Sequence, residues 1–382
     1  MEEKVTLVAT CLFGLEKFVG EEIDALGFRR LETRDGRVIF EAPLSGIARA
    51  NVFLRCAERV FILMGEFKAE SFEELFQGTK SLPWDRWIGQ DDGFPVKGHS
   101  VRSALKSIPD CQSIVKKAVV ESLREAYGVS WFSEEGTRVQ IEFFILNDLC
   151  QLLLDTSGAP LYKRGYRTEA GTAPLRETLA AALVRIARPR EDVLFWDPFC
   201  GSGTIPIEAA MLMADRAPGL DRSFLGEAFL DLPESIWTDA RAEARDRIKK
   251  TAFEAFGSDI DPNMIELSKA NAARAGVGES IRFFPKNALG VETHGRRGTI
   301  VCNPPYGERL ETEEEAVRLY RAMGAHWKNL DRWQIYVITS DPEFQTHYGR
   351  RADAVRKLYN GMIKCFYYQF FRPADGKRKD KS

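Results

Sequence analysis

The sequence is poor in the residues that build metal centres and disulfide frameworks. It has four histidines, at positions 99, 294, 326 and 347, and they do not cluster. Its seven cysteines, at 11, 56, 111, 150, 200, 302 and 365, contain no Cys-x-x-Cys pair. No metal site is therefore expected. The cysteines read as small buried hydrophobes of a protein kept in a reducing, cytoplasmic compartment. No apolar run reaches the ~18 residues of a membrane span. The longest, Ile141 to Leu154, is broken by Asn147 and Asp148. The start Met1-Glu2-Glu3-Lys4 lacks the basic segment of a secretory signal. Excess charge of one sign is missing too. Net charge is −2, with 22 basic against 26 acidic residues up to position 170 and 32 against 30 beyond it. Total charge thus announces no nucleic-acid partner, although local patches matter more than the total.

What is present is a chain of 382 residues, long enough for two or three domains. Residues 1–66 alternate β-α-β-α-β. Strands are predicted over 5–10, 37–41 and 59–67, with helices over Leu15–Leu26 and Ile47–Leu54. That pattern predicts a small ferredoxin-like α+β unit. Residues 67–155 form a second unit, with a periodic helix from Cys111 to Tyr127 and a hairpin turning at Asn147-Asp148. The Gly-, Thr- and Pro-containing stretch 156–174 reads as a linker. From 175 to 374 strands and helices alternate, which predicts an α/β, mostly parallel sheet covered on both faces. The charged segment 375–382 is expected to be a disordered tail.

Three motifs carry chemistry. Asp197-Pro198-Phe199-Cys200-Gly201-Ser202-Gly203-Thr204 follows a predicted strand and opens a helix. Glycines let the backbone approach a ligand, and a helix N-terminus offers free N–H groups. No Gly-Lys-Ser/Thr follows, so this is not a phosphate-binding P-loop, and position 206 is Pro where a dinucleotide fold needs its third glycine. Gly257-Ser258-Asp259-Ile260-Asp261-Pro262 places an acid at a strand end, where it can accept ribose hydroxyls. Asp259 is preferred for that role, because Asp261 before Pro262 suits a helix cap. The 58-residue interval from Gly201 to Asp259 implies an insertion at roughly 215–250. The third motif is Asn303-Pro304-Pro305-Tyr306 after the strand ending at Cys302. An amine conjugated to a base ring is a poor nucleophile. Two fixed acceptors, the Asn303 side-chain oxygen and the Pro304 carbonyl, would bind its N–H groups and aim its lone pair at a methyl group. Two prolines stiffen that backbone, and Tyr306 would stack on the base. Lys163, Arg164, Tyr166 and Arg167 form a basic, aromatic segment suited to gripping RNA.

In this order, the motifs resemble class I amino-methyltransferases. With the insertion 217–224 and the segment Lys163-Arg164-Gly165-Tyr166-Arg167, the chain resembles the THUMP-domain RNA guanine-N2 methyltransferases, closest to the bacterial 23S rRNA group. The resemblance implies a Rossmann-like methyltransferase domain preceded by ferredoxin-like and THUMP domains, S-adenosyl-L-methionine as cofactor and RNA as partner. It implies that Asp197, Phe199, Gly201, Gly203 and Thr204 hold the methionine part, that Asp259 holds the ribose and that Ile260 packs on the adenine. Asn287 stands where relatives often carry an Asp beside the adenine amine. Asn303, Pro304 and Tyr306 would form the reaction centre, with Asn303 also lining the cofactor pocket, and Thr172, Leu175 and Arg176 would border it. No covalent cysteine is needed, since Cys200 and Cys302 lack an activating base. Asn-Pro-Pro-Tyr serves adenine N6 as well as guanine N2, and a tRNA guanine-N2 methyltransferase shares the whole architecture. A DNA adenine methyltransferase and a non-catalytic RNA-binding protein complete the alternatives.

Overall fold

The computed structural model describes residues 3–167, 175–293, 295–305, 313–330 and 332–371. Thr172, Tyr306 and the segment 375–382 lie outside the described residues. The chain divides into two compact units. One contains the N-terminal strand, residues 16–161 and residues 219–246; the other contains 12–15, 162–218 and the chain from 247 onward.

In the first unit the chain runs β1 (Lys4–Thr10), α1 (Glu16–Ala25), β2 (Arg29–Arg34), β3 (Arg37–Pro43), α2 (Ser45–Phe53) and β4 (Arg59–Lys68). It continues through α3 (Phe72–Lys80), β5 (Val96–Val101), α4 (Ile108–Tyr127), β6 (Ile141–Leu146) and β7 (Leu149–Asp155). The two small units expected from sequence share one sheet, in the order β2-β3-β1-β4-β7-β6-β5. The join is β4, which pairs antiparallel with β1 on one side and β7 on the other. Val8, Ile39, Phe61 and Leu153, from four adjacent strands, pack as one cluster across that join. Local chemistry sets the helix ends. Ser71 and Glu74 close a capping box at the start of α3. The α4 helix begins on Ser107, whose side chain accepts the Asp110 N–H, and stops at Gly128 with φ 68°. The strand β2 was not foreseen: Arg-Arg-Leu-Glu-Thr-Arg is an almost wholly polar edge strand that no periodicity reveals. Residues 156–161, expected to begin a linker, are ordered. Thr156 and Ser157 are buried, and Ser157 Oγ donates to Asn51 at 2.6 Å.

In the second unit the elements are α5 (Glu177–Ala187), β8 (Leu194–Asp197), α6 (Thr204–Met213), then α7 (Glu234–Asp246), β9 (Ala255–Asp259), α8 (Pro262–Arg274), β10 (Ile281–Pro285), β11 (Gly298–Cys302), α9 (Glu313–Trp327), β12 (Trp333–Thr339), α10 (Phe344–His347), β13 (Ala354–Asn360) and β14 (Ile363–Phe370). Its sheet runs β10-β9-β8-β11-β12-β14-β13. The first five strands in that order are parallel, and β14 is antiparallel to both neighbours. Trp196, Ile300, Val337, Trp327 and Phe370 belong to one aromatic-rich core. The α7 helix, although it lies between α6 and β9 in sequence, belongs to the first unit. Its buried Trp237, Ala240 and Ala244 make a single stripe, and Arg49 grips Glu243 through two N–H donors at 2.7 and 2.9 Å. Among the described residues no helix is long and apolar enough to cross a membrane.

Candidate active site

The strands β8, β9, β10 and β11 are parallel, so their C-terminal ends share one edge of the sheet. The chain winds from β8 outward through β9 to β10, then returns to place β11 on the other side of β8. A crevice opens at such a reversal, and doubly wound folds bind ligands there. The three sequence motifs end on this edge: 197–204 after β8, Asp259 at the end of β9 and Asn303 directly after β11. Asn287 follows β10 on the same edge, exposed.

The turn after β8 is fixed from several directions. Asp197, 1% exposed, accepts the Phe199 N–H at 3.0 Å. Burial pushes its carboxyl well above the usual carboxylate range, and the nearby Asp259 adds to the rise. Gly201 N–H donates to Asp259 Oδ2 at 2.9 Å, and Asp261 N–H donates to Oδ1 at 3.1 Å. Asp259 therefore ties the glycine turn to the β9–α8 connection while its side chain stays partly exposed. On α8, Ser268 Oγ donates to the Gly201 carbonyl at 2.6 Å and Asn271 Nδ2 to the Ser202 carbonyl at 2.8 Å. These two residues were not singled out from sequence. Their spacing on one helix face was the available signal. Gly203 caps α6 at φ 84°, and a Cβ there would press on Ser268 and Phe283 at 3.2 and 3.3 Å. Gly201 is also left-handed, at φ 49°, yet a Cβ there would meet nothing within 4 Å. The turn thus faces open space at Gly201. Asp261 caps α8 by accepting the Asn263 N–H at 2.8 Å, whereas Asp259 sits at the end of β9.

Asn303 has a buried side-chain oxygen with no hydrogen-bond partner among the described residues. A buried, unpaired amide oxygen costs about 1–3 kcal/mol, so a donor for it is expected from beyond the described residues. Pro304 behind it is buried. Cys200 and Cys302 are buried too, and burial raises both thiols well above their ordinary range, the opposite of an activated nucleophile. Ile260 is 74% exposed directly after β9, Phe199 packs on the core with its ring 6.3 Å from that of Trp327, and Thr204 is buried at the start of α6. Asn287 uses its side-chain oxygen to accept the Leu289 N–H at 2.9 Å.

The basic segment 163–167 differs from expectation. Of its basic and aromatic residues only Lys163 is exposed. Arg164 and Tyr166 turn inward onto Glu208 of α6, at 3.4 and 3.2 Å, and Arg167 pairs with Glu177 at 2.5 Å. Desolvated charges need partners, so these side chains are spent on an internal network and are not displayed to a polymer. Arg176 instead lays its guanidinium 4.8 Å from the Tyr162 ring, and Leu175 is buried, as core packing requires. A separate cleft of about 300 Å³ lies wholly in the first unit, lined by Arg59, Lys97, Arg138, Gln140, Glu142 and Asp155. It contains none of the residues of the glycine-rich edge. Among the described residues no cluster of His, Cys, Asp and Glu could hold a metal ion.

Comparison with known proteins gives three family matches. Residues 6–61 match the RlmL ferredoxin-like domain, 69–155 the THUMP domain and 164–369 the RMKL-like methyltransferase domain. A Bacillus subtilis (strain 168) protein, YpsC, described as a proposed RNA methyltransferase, is 42% identical over 380 residues, 99% of this chain and 98% of that one. The crystal structure of a predicted N6-adenine-specific DNA methylase from Listeria monocytogenes str. 4b F2365 is 46% identical, with a TM-score of 0.91 over 97% of each chain. SMU.472, a methyltransferase candidate crystallised in complex with SAH, is 37% identical with a TM-score of 0.92 over 98% of this chain and 100% of its own. With its glycine turn, strand-end acid and Asn303 at one sheet edge, and a family match over more than half its length, the chain belongs to the RMKL-like methyltransferase family, carrying ferredoxin-like and THUMP domains ahead of the catalytic fold.

Proposed function

We propose that this protein methylates the exocyclic N2 of a guanine in RNA, with 23S rRNA as the substrate. The methyl donor is S-adenosyl-L-methionine, in keeping with a full-length relative crystallised with SAH. The open space over Gly201 fits it, and the Asn303 oxygen, without a partner among the described residues, is left for the substrate amine. Asp197, Phe199, Gly201, Gly203 and Thr204 hold the methionine part. The remaining lone pairs of Asp259 take the ribose hydroxyls, and Ile260 and Asn287 border the adenine. When bound, the cofactor supplies an electrophilic methyl group on a sulfonium.

The chain's own task is to make an amine nucleophilic. Its lone pair is delocalised into the base. The Asn303 side-chain oxygen and the Pro304 carbonyl accept its two N–H groups and draw the lone pair out of conjugation. Tyr306 stacks on the base face. Pre-alignment of this kind lowers barriers by on the order of 7–11 kcal/mol. The observation that carries the proposal is the buried Asn303 oxygen at the end of β11, which has no partner among the described residues. The THUMP domain and the RNA methyltransferase relative support RNA as the polymer. In the test, the protein receives radiolabelled S-adenosylmethionine together with protein-free 23S rRNA, tRNA or DNA, and the labelled nucleoside is identified. N2-methylguanosine in 23S rRNA is expected. N2-methylguanosine confined to tRNA would reassign the polymer, and N6-methyladenine would overturn the assignment of the base.

A further inference from the structure

The β13–β14 hairpin has features that the cofactor crevice does not use. Because β14 runs antiparallel to β12, with Phe366 opposite Thr339, residues 363–365 extend past the C-terminal end of β12. The hairpin tip, Asn360-Gly361-Met362, therefore projects from the same sheet edge that carries Asn303. At about 4.8 Å between strands, β14 lies roughly 10 Å from β11 and β13 roughly 14 Å.

The two faces of the hairpin differ. On one face Leu358 and Cys365 are paired and buried, and the Tyr367 hydroxyl donates to the Leu183 carbonyl of α5 at 3.1 Å. On the other face Tyr359 stands opposite Lys364 and Lys357 opposite Phe366. Lys357 Nζ lies 5.6 Å from the Tyr359 ring, and Lys364 Nζ lies 5.0 Å from the Phe366 ring. Phe13, 55% exposed, meets Tyr359 edge-on at 6.0 Å. Neither lysine pairs with a carboxylate among the described residues. The run 354–371 contains Arg356, Lys357 and Lys364 and no Asp or Glu. Met362 at the tip is 97% exposed and Val355 45%. The tip is held in place, since Asn360 Oδ1 accepts the Arg176 N–H at 3.4 Å.

Interleaved cations and half-buried aromatic rings near the tip of a partly exposed strand pair suit single-stranded nucleic acid, with bases on the rings and phosphates on the lysines. We infer that this hairpin, with Phe13, is a platform for unpaired RNA nucleotides flanking the target base, Tyr359 stacking on a base and Lys357 and Lys364 holding phosphates. The inference rests on the RNA-methyltransferase function proposed above. It also accounts for how a chain of net charge −2 holds RNA at its catalytic edge: the cations are concentrated there without intervening acids. A methylase must reach an exocyclic amine outside a helix, and a flanking single strand lowers the cost of exposing it.

The test compares the full-length protein with Tyr359→Ala, Tyr359→Phe and Lys357→Ala/Lys364→Ala. Each is titrated with fluorescein-labelled single-stranded and duplex RNA at several salt concentrations, and its KM and single-turnover rate are measured on the RNA that the parent methylates. Stacking on one ring predicts that Tyr359→Ala weakens single-strand binding on the order of ten-fold and that Tyr359→Phe restores it. The lysine pair should lower the slope of log K against log salt by about 1.4 on a single strand, two contacts at ~0.7 each. KM should rise with the single-turnover rate at saturating RNA unchanged, and duplex binding should move little. If the parent methylates RNA and the variants keep its KM and salt slope, the platform is refuted while the function stands. If the parent methylates no RNA, the function fails and the platform with it. If Tyr359→Ala melts early and Tyr359→Phe binds as weakly as the alanine, the ring is structural and the stacking role is overturned.

Discussion

Replacing Asn303 by alanine should cost the enzyme its rate and the fold almost nothing. In the resting protein the Asn303 oxygen is buried without a partner among the described residues. Such an oxygen carries a desolvation penalty of about 1–3 kcal/mol. Alanine removes that penalty and leaves a gap of a few atoms, whose cost is of the same order. The two effects oppose each other, so stability should change by less than about 1 kcal/mol in either direction. Catalysis offers no such offset. Loss of one preorganised polar contact to the reacting group costs about 2.7–4 kcal/mol, or roughly a hundred- to a thousand-fold in rate, by analogy with oxyanion-hole donors. Cofactor affinity should stay within a few-fold, since the glycine turn and Asp259 are held by α8 and β9. Urea denaturation at constant slope measures the first quantity, single-turnover methylation the second and calorimetry the third. A destabilisation above about 2 kcal/mol, or a ten-fold loss of cofactor binding, would show that Asn303 is a structural or cofactor residue.

Three further outcomes follow from the same geometry. Gly201→Ala places a Cβ in open space at φ 49°, so the fold should lose on the order of 1 kcal/mol while calorimetry shows cofactor affinity falling more than ten-fold; unchanged affinity would place the ligand elsewhere. Burial raises the Asp197 carboxyl, so its contribution to stability is full below its unfolded value of about 3.9 and is lost as pH rises through the folded value. The urea midpoint of Asp197→Asn relative to the parent should therefore grow with pH above about 4 in the cofactor-free protein, and a difference that stays flat refutes the assignment. Glu208→Ala takes the carboxylate from buried Arg164 and Tyr166 and should cost about 3–5 kcal/mol, whereas Glu208→Leu with Arg164→Met should recover most of it in the same urea titration; equal losses would show that the pair is not the source.

The sequence motifs were legible because their chemistry is local. A strand, a glycine turn and a helix are adjacent in the chain, so the edge formed by 197–204, Asp259 and Asn303 could be read directly. The role of Asp261 as a helix cap was legible in the proline that follows it. What escaped was long-range. The basic segment 163–167 looks displayed in sequence, but Glu208 and Glu177, 44 and 10 residues away from their arginines, draw it inward. The Ser268 and Asn271 contacts cross 67 and 69 residues to brace the turn. Edge strand β2 has no apolar alternation to betray it. Pairing of β4 with β7, which fuses the two expected small units, depends on a register that no single segment contains.

The placement of 219–246 in the first unit bears on how such a protein can be divided or recombined. The backbone passes between the two units after residues 161, 218 and 246, besides the short excursion at 12–15. No single cut releases either unit whole. A fragment beginning at 162 would carry α7 with the indole of Trp237, Ala240 and Ala244 stripped of their cover, and a fragment ending at 161 would leave Arg49 without Glu243. The catalytic and amino-terminal parts are thus bound by topology as well as by a linker. A new amino-terminal module could be grafted onto this methyltransferase only by exchanging the inserted segment along with it.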